Sequence, residues 1–216
     1  MSQLIDGAGD FDFAAFRDVP TTTLADLLGP AQVMDAGIRP LWGPVPRVAG
    51  PAFTVNCPPG DNLMLHAAVH RAAPGSVIVV ESGDVSRALA GGNVCAVARR
   101  NGVAAFVADG LLRDLAEVRD MGFPVFARGI VPIPGTKEAA TPLGRPVRCG
   151  GVRISAGDVV VADEEGVVAV PAADRAGVLD AARAKLAEEA AKTLDDWERA
   201  HRARIDEILA RQGFTE

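Results

Sequence analysis

DVSRALAGGNVCAVARRNGVAAFVADGLLRDLAEVRDMGFPVF, residues 84–126, decides how this chain reads. At its centre, residues 103–108 are a short apolar run led in by the turn pair Asn101-Gly102, the pattern of a buried strand. Before it, Gly91-Gly92-Asn93 opens a helical pattern over residues 94–100. After it, a second helical pattern over residues 113–121 is closed by Gly122 and followed by a strand at 124–126. Strands and helices alternating at this spacing predict a parallel βαβ unit. Ligands of such sheets collect outside the carboxyl ends of the strands, where helices begin. Two features fall there together: the glycine pair, and the segment from Asp109 through Arg113 and Asp114. A helix opened by glycine offers free backbone N–H groups to an anion, here those of Asn93 and Val94 beside Gly92. Arg113 can fork two hydrogen bonds onto a carboxylate. Asp114 is a hard oxygen ligand suited to Mg²⁺ or Mn²⁺.

The motif of Gly92, twenty residues, then RDLAE at 113–117 resembles the signature of the class II pyruvate aldolase/RraA-like family. Further matching segments are PGDNLMLH at 59–66, PGSVIVV at 74–80 and GDVVVADEEGVVAV at 157–170. The resemblance spans about residues 20–190. It implies a swivelling β/β/α type of fold, trimers or hexamers, and metal-dependent cleavage of a 4-hydroxy-2-oxo diacid to pyruvate. It also brings in non-aldolase relatives that regulate a ribonuclease. Family members with aldolase activity usually carry Asp or Glu where this chain has Gly92, an acid that helps hold a metal-bound water. In the family a glutamate on the C-terminal tail enters the next subunit's site; Glu189 is the matching candidate, with Glu188 beside it.

Length and composition narrow the alternatives. The 216 residues fit one domain with a real core. A formal charge of −6 and the absence of a basic stripe argue against nucleic-acid binding. No apolar run is long enough to cross a membrane, and the first residues lack the pattern of a secretory signal, which predicts a cytoplasmic protein. Cys57, Cys95 and Cys149 lack zinc-binding spacing and read as small buried apolar residues.

Elsewhere, residues 1–20 read as a loosely held arm, 21–171 as the catalytic domain and 172–216 as a helical tail. Thr21 to Gly29 predicts a short capped helix, residues 34–46 a loop and residues 48–56 a strand. A helix through about residue 71 follows, with His66 and His70 four apart. These are either a metal pair or one packed and one solvated histidine. Asp84 is a second candidate metal ligand, acting through water, or else a binder of loop amides; Arg87 can meet a distal carboxylate. Residues 130–170 predict an added β layer, with Asp163 to Gly166 as a hairpin turn. The tail carries an apolar stripe, Leu186, Ala190, Leu194, Trp197, His201, Ile205 and Ile208, best covered by another subunit.

The sequence therefore predicts an α/β fold: a short parallel βαβαβ core, an added β layer and a protruding C-terminal helix. Asp114 would anchor the metal, Arg113 would face the developing enolate oxygen, and Gly92, Asn93 and Val94 would hold the substrate carboxylate. No lysine lies in the motif, so no Schiff base is expected. Because Gly92 removes an acid, oxaloacetate decarboxylation is the alternative main activity, since it leaves the same enolate without deprotonating a hydroxyl.

Overall fold

The computed structural model describes residues 11–214. Its spine is β5 (Ala105–Leu112), in which every residue is buried. A strand covered on both faces is apolar except where a buried polar group is paired, as Asp109 is here, and this one lies between parallel neighbours. The parallel set is completed by β2 (Val48–Asn56), β3 (Val77–Glu81) and β6 (Val125–Ile130), in the order β6-β5-β3-β2. The short β4 (Ala88–Ala90) also pairs parallel with β5.

The helices of the core are α2 (Leu63–Ala68), α3 (Gly92–Arg100) and α4 (Leu115–Asp120). They cover one face, where Phe53, Leu65, Ile78, Cys95, Phe106, Val118 and Phe123 pack together. Against the other face packs the hairpin of β7 (Val147–Cys149) and β8 (Val152–Ile154). Near it, Asp109 on β5 and Asp35 both bond Arg128 of β6, and Asp109 Oδ2 accepts the Gly150 N–H at 2.9 Å. Asp109 thus belongs to a buried structural ion pair, within the strand rather than after it.

The expected separate β layer is only partly separate. β9 (Val159–Asp163) and β10 (Gly166–Val170) extend the main sheet antiparallel. The first part of β2, from Val48 to Pro51, pairs with β9, whereas Ala52 to Asn56 pair with β3. One nine-residue strand therefore serves both halves, and the sheet curls until β10 lies beside β1 (Arg39–Pro40).

Residues 11–20 are not loose. Phe13–Asp18 forms a 3-10 turn whose Phe16 is fully buried with Val19 and Leu24, the last on α1 (Thr21–Leu28). Residues 1–10 of the expected arm lie outside the described residues. The tail is two helices, α5 (Arg175–Ala190) and α6 (Leu194–Arg211), the second opened by a Thr193–Asp196 capping box. α5 docks through Leu179 and Ala182, and Lys185 ties it to Asp26 of α1 at 2.8 Å. α6 buries no residue, and its Leu194 and Trp197 are 77% and 54% exposed. No helix among the described residues is long and apolar enough to cross a membrane.

The hairpin joining β9 to β10 begins at Asp163, whose carboxylate is buried. It accepts Thr21 Oγ1 at 2.6 Å, the Thr21 and Glu165 N–H groups, and Arg47 Nε at 2.9 Å. Burial pushes its pKa up, but the bonds from Thr21, Arg47 and Glu165 outweigh that and hold it below the ordinary value of 3.8. Removing this carboxylate (Asp163→Ala) leaves Arg47 unpaired and should cost on the order of 3 kcal/mol in urea unfolding at pH 7. Because the folded pKa is depressed, the contribution is complete above about pH 4 and is lost as the pH falls through the folded value. The stability gap between wild type and variant should therefore close in acid.

Candidate active site

A pocket opens at the carboxyl ends of β4 and β5, against the start of α3. It is lined by Asn62, His66, Ala88, Ala90, Gly91, Asn93, Val94, Arg113, Asp114, Pro134 and Lys137. Asp114 closes β5 from an unusual backbone: φ 58°, ψ 40°, the one non-glycine residue at positive φ among those described. Aspartate tolerates this left-handed region better than most residues. The turn carries its carboxylate back across the pocket, where Oδ2 accepts the Gly92 N–H at 3.1 Å and lies 3.5 Å from Arg113 Nε. Arg113 is in turn fixed by its own N–H, which donates to the Ala90 carbonyl at 3.0 Å.

With Gly92 capped by Asp114, the next two N–H groups of α3, those of Asn93 and Val94, have no backbone or side-chain acceptor among the described residues. They and Arg113 provide donors for an anion on one wall. The helical patterns predicted around these residues are present, but α4 is shorter than expected. It starts at Leu115, so Arg113 and Asp114 belong to the preceding turn.

The glycine pair serves close approach. A Cβ at Gly91 would stand 2.3 Å from Asp114 Oδ2 and 3.0 Å from Arg113 Cγ. A Cβ at Gly92 would meet the Glu117 carboxylate at 1.9 Å and Glu117 Cβ at 3.1 Å. Gly92 is not at positive φ, so its constraint is steric. Glu117 fills the space where a residue-92 side chain would begin, although it does not line the pocket.

On the opposite wall stand residues from distant parts of the chain. Asp61 organises them. Burial raises its pKa, but bonds from the Glu138 N–H (2.6 Å), the Leu63 N–H (2.8 Å), Thr136 Oγ1 (3.1 Å) and the Ala139 N–H (3.3 Å) hold it low and ionised. This carboxylate starts α2, which carries His66, and pins the segment that carries Lys137. Lys137 makes no ion pair among the described residues and contributes a cation to the pocket. Sequence reasoning set it aside as lying outside the motif; the isolated bridge between Asp61 and Thr136 is what brings it in. His66 lines the pocket and His70 is exposed beyond the end of α2, so the two are not a metal pair.

Several expected residues lie elsewhere. Asp84 is not in the lining: Oδ2 accepts the Gly60 N–H and Oδ1 the Ser86 N–H, both at 2.8 Å. Its role in this chain is to hold loop amides, not to face the pocket. Arg87 is exposed and donates to the Pro134 carbonyl. Glu189, expected to reach a neighbouring subunit's site, sits on α5 outside its own subunit's pocket, paired with Lys185 at 3.5 Å. All three cysteines are free and buried; burial pushes Cys57 up to about 11 and Cys95 up to about 12, which leaves them unreactive thiols.

The contact between Gly92 and Glu117 can be tested by a double-mutant cycle. Gly92→Ala should cost about 2 kcal/mol by overpacking, and Gly92→Asp more, through repulsion of Glu117. Both penalties should largely vanish in a Glu117→Ala background. Additive losses in thermal unfolding would show that Glu117 is not what confines residue 92.

Comparison with known proteins shows the family and the fold. The family model described as Aldolase/RraA matches residues 21–169. A Halalkalibacterium halodurans protein named "Putative 4-hydroxy-4-methyl-2-oxoglutarate aldolase" is 36% identical over 209 residues, covering 96% of this chain and 95% of that one. Streptomyces coelicolor RraAS2, titled an unusual member of the RNase ES inhibitor RraA family, superposes with a TM-score of 0.71 at 28% identity. That match covers 89% of this chain and 96% of the other. The RNA-processing inhibitor RraA from Thermus thermophilis gives 0.64 at 28% identity, over 70% and 92%. The family match over residues 21–169 and the relative covered almost end to end show that the chain belongs to the aldolase/RraA family.

Proposed function

We propose that the protein is a divalent-metal-dependent aldolase that cleaves a 4-hydroxy-2-oxo diacid, of the 4-hydroxy-4-methyl-2-oxoglutarate type, to pyruvate and a second oxo acid. The observation that carries this reading is the lining of one pocket by Arg113, Asp114, Lys137 and the unfilled amides of Asn93 and Val94. Two cationic side chains against one carboxylate suit a dianionic substrate. The name of the Halalkalibacterium relative supports the same substrate class.

The residues fit a hard divalent ion such as Mg²⁺ or Mn²⁺. Oδ2 of Asp114 is oriented by the Gly92 amide, while Oδ1 accepts no hydrogen bond among the described residues. No cluster of three or more His, Cys, Asp or Glu is present there, and Mg²⁺ characteristically takes one or two carboxylates and completes its shell with water and substrate. Asp114 would hold it, and its chemistry would be to polarise the 2-oxo group. The amides of Asn93 and Val94 orient the 1-carboxylate, Arg113 donates to the oxygen where enolate charge develops, and Lys137 faces the far carboxylate. Oxaloacetate, which loses CO₂ to give the same enolate, is expected as a second substrate. The assembly expected is a homo-oligomer, a trimer or hexamer, in which Glu189 of the partner subunit closes the site; the exposed apolar side chains of α6 support such a contact.

Pyruvate release from 4-hydroxy-2-oxo acids and oxaloacetate tests the reading. Turnover should require Mg²⁺ or Mn²⁺ and stop in excess EDTA; full turnover in EDTA would overturn metal dependence. No turnover of any of these acids with either ion would favour a ribonuclease regulator; the titles of two structural neighbours name an RNA-processing inhibitor and a member of an RNase ES inhibitor family.

Arg113→Lys should lower kcat by roughly a hundredfold, about 3 kcal/mol, and raise KM much less, because an ammonium cannot reproduce the guanidinium fork. Steady-state kinetics showing wild-type kcat would remove Arg113 from the transition state.

A further inference from the structure

Five buried side-chain atoms among the described residues lack a hydrogen-bond partner: Thr54 Oγ1, Asn62 Oδ1, His66 Nε2, Ser76 Oγ and Ser82 Oγ. Two of them, on Asn62 and His66, belong to side chains lining the pocket. Asn62 is 3% exposed, and its Nδ2 donates to the Ala88 carbonyl at 3.2 Å. That bond fixes the amide's orientation, since the flipped form would set Oδ1 against a carbonyl oxygen. Asn62 Oδ1 is therefore a bare acceptor. Leaving such a group unmet forfeits its hydration with no bond in exchange, and native structures keep the arrangement where a ligand or water completes it.

We propose that His66 is the general base that takes the proton of the substrate's C4 hydroxyl, with Asn62 Oδ1 steering that hydroxyl. The inference rests on the aldolase reading and adds the group that reading lacks. Cleavage must deprotonate a hydroxyl, yet residue 92 has no side chain, Glu117 is outside the pocket, and of the Asp114 oxygens one accepts the Gly92 amide and the other is assigned to the metal. The O–H bond breaks and its proton goes to Nε2; the oxygen's electron pair forms the new C4 carbonyl. The C3–C4 bond breaks, and its electrons pass to C3 as the pyruvate enolate. C3 then gains a proton and the imidazolium loses one, so no oxidant or reductant is needed.

The surroundings keep the imidazole neutral and hence able to accept. Burial lowers its pKa, and the charges of Lys137 and Arg113 lower it further; the Leu89 carbonyl and Asp61 pull the other way and are outweighed.

Decarboxylation of oxaloacetate breaks no O–H bond, so the two substrates separate His66 from the machinery they share. In the metal-supplemented full-length protein, His66→Gln should lower the ratio of aldol cleavage to decarboxylation by about a hundredfold or more. It should also erase the acid limb of the kcat/KM profile for cleavage. Lys137→Met should move that limb to higher pH, and the imidazole signal of His66, one of three histidines, should shift with it in NMR titration. An unchanged ratio, equal losses on both substrates, or a limb unmoved by Lys137→Met would overturn the assignment while wild-type cleavage left the aldolase reading standing. Failure of the wild type to cleave any 4-hydroxy-2-oxo acid would overturn both.

Discussion

The bond from the Gly92 N–H to the Asp114 carboxylate is the contact on which the candidate site depends. It joins the end of the central strand to the start of the helix beside it, and it exists because Asp114 has a left-handed backbone. That conformation costs a non-glycine residue roughly 1–2 kcal/mol, and the surroundings over-determine it: Arg113 is pinned to Ala90 just before, and α4 begins just after. The result is one carboxylate with an oriented oxygen and an unbonded one, next to two unfilled amides. A freely rotating surface aspartate would offer the same charge without the geometry.

Close approach is the second requirement, and the glycine pair meets it from the other side. Any Cβ at Gly91 would collide with the Asp114 carboxylate, so the turn and the helix start could not meet. Gly92 differs. Its missing side chain is matched by Glu117 lying over it, so an acid cannot be placed at residue 92 without displacing another acid. The absence of a side chain at 92 is thus built into the packing of α3 against α4.

Much of this was legible in the sequence because it is local. The strand at 48–56, the central strand over 103–108, the glycine-opened helix and the Arg113-Asp114 pair each follow from short-range patterns of apolar runs and turn residues. The structure departs where long-range contacts decide. Phe16 looks like part of an arm until β2 and β9 offer it a cavity. Asp84 looks like a ligand until the Gly60 amide of a distant loop and the Ser86 amide of its own take up its two oxygens. β9 and β10 look like a separate layer because nothing in β2's composition announces that its two halves pair with different strands. Lys137 and His66 carry no shared local signal, being 71 residues apart in the numbering.

What unites that distant pair is Asp61, and its chemistry explains why the far wall is cationic. A buried carboxylate needs either a cationic partner or several hydrogen bonds. Asp61 takes the second course, with three backbone N–H groups and one hydroxyl. Because no lysine or arginine is spent on it, Lys137 keeps its charge free for the pocket, and the same anion places His66 one helical turn away. Had Asp61 been neutralised by Lys137, the pocket would have lost both its second cation and the charge that helps keep His66 neutral. The far wall thus owes its electrostatics to an acid that does not line it.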